Sequence, residues 1–164
     1  MAPVGRLPLT MPTAETTADS FRQLDFHDDT LLDVRVSPAQ QRGEGSIVEI
    51  RFRRGSGNRV LQFSGCANLR VAMDFDVLAG NLPPNTSRVD AHTDPALMRS
   101  LIHSQEKDWD VDYAGSSTSP LTRKLAGVNE YVFFRVQFFG GAVEVIAREY
   151  QVNTATQPFQ RTPR

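Results

Sequence analysis

Three short motifs hold most of the side chains with chemical potential. His27-Asp28-Asp29 is the densest. An adjacent His and Asp supply metal ligands, or a carboxylate that orients an imidazole as a general base. Metal phosphohydrolases with such a pair are helical and draw on further His and Asp residues. Here the pair precedes an extended run, and His92 and His103 are the only other histidines. Two isolated ligands do not complete a site. The preferred reading is that His27 and Asp28 hydrogen-bond the backbone and fix the approach to the first strand. Asp74-Phe75-Asp76 is an Asp-x-Asp in an alternating run. On a strand both carboxylates share a face, as metal-dependent sugar transferases require, but 164 residues is short for that fold. Arg51, Arg53, Arg135 and Arg148 on neighbouring strands account for the two acids as cross-strand charge pairs. An enzyme or ligand-binding domain would use His27, Asp28, Asp74 and Asp76. Asp108-Trp109-Asp110-Val111-Asp112 opens like a calcium loop, but Tyr113 stands where glycine is needed and Ser119 where a bidentate acid is needed. Cys66 has no motif for an activating base nearby and reads as a structural side chain near a strand end. With no complete catalytic constellation, neither a metal nor a cofactor is expected.

Composition narrows the classes. A formal net charge of −1 gives no bulk electrostatic reason to bind nucleic acid or an anionic membrane. No apolar run approaches the ~20 residues of a membrane span. A single cysteine forms no intrachain disulfide, which fits a reducing, cytoplasmic setting. Length and a hydrophobic content of 40% suit one domain with a sizeable core.

The elements that must position these residues begin with residues 129–152. Two β-branched and aromatic runs flank Gly140-Gly141, which reads as a two-residue hairpin turn. Val132, Phe134, Val136 and Phe138 share one apolar face and belong in the core. Tyr131, Phe133, Arg135 and Phe139 lie on the other face, with Gln137. That group reads as a contact surface, covered either by Trp109, Val111 and Tyr113 of the chain itself or by a partner or second copy. Strands are expected at 31–36, 47–53, 59–64 and 69–77, where Leu69, Val71, Met73, Phe75 and Val77 alternate with polar or small residues. Leu32, Val34 and Val36 share a face of the first. Residues 80–93 read as an irregular link. Asp94-Pro95 announces a helix with Leu97, Met98, Leu101, Ile102 and Gln105 on one stripe. Residues 1–20 read as a disordered leader, 21–152 as one domain, and 153–164 as a disordered tail. The expected fold is α+β: about six strands of predominantly antiparallel sheet with one main helix.

Phe26-His27-Asp28 before Leu31 and Leu32, Leu61-x-Phe63-x-Gly65, a Phe75-containing strand leading to Asn81, and Phe139-Gly140-Gly141 form a pattern. It resembles small uncharacterised bacterial proteins of immunity-protein-like families, which neutralise secreted polymorphic toxins by binding them. The matching segments cover about 26–81 and 130–152. The resemblance implies a non-enzymatic, intracellular binding protein whose partner is another protein. It transfers no functional residue. The alternative is the small enzyme or ligand-binding domain built on His27 and its acids.

Overall fold

The computed structural model describes residues 11–39, 45–78, 83–106 and 130–155. Among them are eight strands: β1 Thr30–Ser37, β2 Ser46–Arg54, β3 Gly57–Cys66, β4 Asn68–Met73, β5 Thr86–His92, β6 Val132–Phe138, β7 Gly141–Ala147 and β8 Glu149–Ala155. The helices are α1 Ala14–Arg22, α2 Phe75–Leu78 and α3 Pro95–Glu106. Every strand pairing is antiparallel. The class is α+β, as expected, with eight strands divided between two sheets. The first sheet has the order β1-β2-β3-β8 and the second β4-β7-β6-β5.

Alternation puts one apolar face of each sheet into a shared core. Val48, Ile50 and Phe52 of β2, with Leu61 and Phe63 of β3, are buried against Val132, Phe134, Val136 and Phe138 of β6 and Val143 and Val145 of β7. The apolar face of the hairpin thus packs on the first sheet, and α3 packs on the other side. α1 completes the core. Its Phe21 ring lies 4.8 Å from Phe134 and 5.0 Å from Tyr150, centroid to centroid.

The chain crosses between sheets at two adjacent points. The run that reads as one strand from Gly141 onward breaks at Arg148, so β7 belongs to the second sheet and β8 to the first. The β3–β4 passage lies beside it, with Ala67 N–H donating to Ile146 O at 2.8 Å and Arg148 N–H to Ser64 O at 3.2 Å. Gly65 makes the bend with φ +62, and a Cβ there would meet the Arg148 side chain at 3.0 Å. Strands that switch sheets at a bend are how two packed sheets make a corner.

Several boundaries differ from the sequence reading. The leader does not extend to residue 20: Thr13 Oγ1 accepts the Thr16 N–H at 3.2 Å and starts α1, which buries Ala18 and Phe21. Residues 86–92 are strand β5, on the edge of the second sheet, rather than link. β4 stops at Met73, because Asp74 Oδ1 accepts the Asp76 N–H at 3.0 Å and opens α2. The tail begins later, since β8 pairs with β3 through Ala155. An irregularity between Leu31 and Asp33 turns Leu31 into the core and leaves Leu32 outside. The hairpin turn is Phe139-Gly140, with Gly140 at φ +87. Gly141 already belongs to β7, and a Cβ on it would sit 2.1 Å from Ala72 O of β4. Asp94 caps α3 as expected, its Oδ1 accepting the Ala96 N–H at 2.9 Å.

Phe134 is fully buried between three other rings, so Phe134→Ala should destabilise the fold by about 3–5 kcal/mol in denaturant melts. A loss below about 1 kcal/mol would show that the two sheets do not share this core.

Candidate functional site

The His27-Asp28-Asp29 loop is held from both sides. Asp28 has left-handed backbone, φ +65, and donates its N–H to Thr86 O at 2.9 Å. Asp29 receives the Thr86 N–H on its carbonyl at 2.8 Å, joining the start of β1 to the start of β5. Its fully buried carboxylate accepts from Arg54 Nε at 2.6 Å and Arg59 Nη1 at 2.9 Å. Those arginines flank the β2–β3 turn. Arg59 also lies over the Phe26 ring, 4.0 Å from its centroid, and donates to Asp25 O at 2.7 Å. A buried carboxylate needs such partners, because an unpaired charge is costly in the interior.

The motif therefore fixes the approach to β1, but not through the side chains expected. Asp29 does the fixing, while the His27 and Asp28 side chains are 69% and 76% exposed. His27 Nδ1 lies 2.9 Å from an Asp28 carboxylate oxygen, at the surface. The Asp-x-Asp reading is corrected too. Asp74 and Asp76 are not on a strand face, since Asp74 caps a helical turn and donates its N–H to Gly140 O at 2.7 Å. The arginines expected beside them pair elsewhere: Arg51 with Asp33, Arg135 with Glu144, and Arg148 with Glu130. Among the described residues no three of His, Cys, Asp and Glu gather as a metal site. The calcium-like run at 108–113 lies outside the described residues. Burial pushes the Cys66 thiol up to about 11, which leaves it protonated rather than nucleophilic at neutral pH.

The aromatic face of the hairpin is covered within the chain. Tyr131 and Phe133 are 3% and 6% exposed, packed with Ile146 beneath Met98 and Ile102 of α3. Their assignment as partner contacts is thereby overturned, because α3 buries the apolar half of that face. His92 stacks on Phe133, and Asn68 Nδ2 donates to Gln105 Oε1 of α3 at 3.0 Å. Arg135 sits in a row across the second sheet, Arg70-Glu144-Arg135-Asp90, with its Nε 3.3 Å from Glu144. Of the four predicted contacts, Phe139 in the turn remains as an exposed aromatic.

Three apolar residues of the run that reads as a fourth strand, Val71, Met73 and Phe75, are exposed as well. Val71 and Met73 pair with Val143 and Gly141, so they lie on the core side of the second sheet. They stay exposed because β4 is its edge strand. Phe75 follows on α2 and is 75% exposed, while Phe139 is 44% exposed. The Asp74–Gly140 hydrogen bond joins the backbones that carry these two phenylalanines. The signal for this surface was Asp74 itself, a capping residue inside an apparently alternating run. In comparison with known proteins, the chain matches no family model, no curated protein and no solved structure.

Asp29→Asn should cost on the order of 3–5 kcal/mol, because it leaves two arginines without their buried counter-charge. His27→Ala should cost under about 0.5 kcal/mol, as an exposed side chain. Equal losses in chemical denaturation would contradict this division of roles. Acid sensitivity has a defined sign. The Arg54 hydrogen bond holds the Asp25 carboxyl below its usual range, and Arg51 does the same for Asp33. In that window the unfolded chain binds more protons, so stability is complete above about pH 4 and falls as pH drops through the lowered values. Asp33→Asn should flatten this acid limb, and an unchanged limb would refute the assignment.

Proposed function

We propose that the protein works by binding another protein through the apolar surface at the β4 edge, α2 and the β6–β7 turn. The observation that carries this reading is Phe75, exposed on a single helical turn whose backbone is tied to that of Phe139. Leaving large apolar side chains in water forgoes about 25 cal/mol per Å² that burial would return. Grouped exposures of this kind mark interaction sites, and aromatic residues are enriched at interfaces. Val71 and Met73 extend the surface along an edge strand, which also offers its backbone to a partner.

The partner in this reading is a toxin, and the setting is the bacterial cytoplasm. Both follow from the resemblance of Phe26-His27-Asp28, Leu61-x-Phe63-x-Gly65 and Phe139-Gly140-Gly141 to immunity-type proteins. The second reading, an enzyme or ligand-binding domain on His27 and Asp28, is favoured by the left-handed backbone at Asp28, since such conformations collect at functional sites. We rank it lower because the bond from Asp28 N–H to Thr86 already accounts for that backbone.

The test is to search the genes beside its own for a secreted toxin and to titrate the protein against that product; absence of a toxin gene there would count against this partner. Equimolar protein should abolish toxicity. The double variant Phe75→Glu with Phe139→Glu should bind on the order of 100-fold more weakly with an unchanged melting temperature. Neutralisation that survives the double variant, or is lost in His27→Ala, would contradict the proposal.

A further inference from the structure

The outer edge of β1 is complementary to itself. β1 is an edge strand eight residues long, paired with β2 on one side. On the other side its first residues are tied to the start of β5, through the Thr30–Asn85 bridge and Leu31 N–H to Pro84 O at 3.0 Å. Beyond them Leu32 is 39% exposed and Val36 51% exposed. Proteins usually blunt such an edge with charge, proline or a bulge. Here the bulge falls at Leu32 and Pro38 follows the strand, so the regular edge runs over residues 33–37.

The residues are arranged symmetrically about Val34. In an antiparallel pairing of two copies centred there, Asp33 of each meets Arg35 of the other. The match extends one strand deeper. Arg51 stands beside Asp33, and Glu49 beside Arg35, on β2. Two copies would therefore carry the row Arg51-Asp33-Arg35-Glu49 twice across the junction, alternating in sign at every step. Opposite charges on directly facing strands stabilise a pairing, and like charges oppose it. The other edges lack this combination. β4 has no acid to answer Arg70, and β8 has no cation to answer Glu149. β5 has the order Arg88-Val89-Asp90, but Arg22 of α1 donates to Ala91 O at 2.9 Å and occupies its edge.

We infer that two copies of this chain associate edge to edge along β1, about a two-fold axis at Val34, to form one continuous eight-stranded sheet. This surface is separate from the one around Phe75, and the inference does not depend on the proposed function.

Sedimentation or light scattering of the full chain should give twice the 18.3 kDa protomer mass. Arg35→Asp alone and Asp33→Arg alone should each be monomeric, because each places like charges opposite one another. Mixing those two variants should restore the dimer, since each then supplies the charge the other lacks. Asp33→Arg also gives up the Arg51 ion pair, so Val36→Lys provides a second route. It should give a monomer with the melting temperature of the wild-type monomer. A wild-type chain that stays monomeric at all concentrations, or binds only a different protein on this edge, would overturn the inference. So would a dimer that persists in Arg35→Asp, or variants that fail to complement on mixing.

Discussion

Phe134 holds this molecule together. Its ring, from the second sheet, packs against Phe63 and Tyr150 of the first and Phe21 of α1. A sheet with one apolar face must bury that face against another layer. Two sheets and a helix solve that problem here around one aromatic cluster. The remaining architecture follows. To put β6 and β7 over β2 and β3, the chain has to leave one sheet and enter the other without a long loop. It does so through the bend at Gly65 and the break at Arg148. The close approach of β4 to Gly141 belongs to the same constraint, because it keeps the edge of the second sheet tight against the hairpin.

At another junction the work is electrostatic. Asp29 is buried, and its backbone joins β1 to β5 while its carboxylate is gripped by Arg54 and Arg59. Breaking a buried pair costs far more than an exposed pair contributes. The most chemically suggestive motif in the chain is therefore used mainly to hold two sheets in register, with His27 left at its rim. Among the described residues, exposed apolar side chains lie elsewhere, several of them on the edge strands β1 and β4. Each of those edges carries apolar side chains that the fold leaves uncovered. In the proposed reading, the protein meets others through strand edges and the turns beside them.

The legible parts of the sequence were those where a single rule dominates. β2 alternates without interruption, Asp94-Pro95 marks the start of α3, and the β6–β7 hairpin shows its apolar face. α1 was obscured because its buried face is Thr17, Ala18 and Phe21, and small residues in a proline- and threonine-rich stretch give little periodic signal. β5 turns only Thr86, Val89 and Ala91 inward, among polar and charged residues, so its pairing comes from β6 rather than from its own pattern. The break at Arg148 has no glycine or proline of its own, and its marker, Gly65, lies on the facing strand. At the candidate site, period-two alternation through Met73 and Phe75 hid the cap at Asp74, and so hid the exposed surface. The burial of Tyr131 and Phe133 depended on where α3 docks, which no local pattern specifies.

Hydrogen exchange of the protein alone and with a toxin that it neutralises tests the central claim most directly, the proposal that function resides in the β4–α2–turn surface. Such exchange reports which backbone segments a partner protects. The account predicts slowed exchange at residues 71–75 and 138–141, with no change at 25–29. Protection confined to 25–29, around His27 and Asp28, would contradict it.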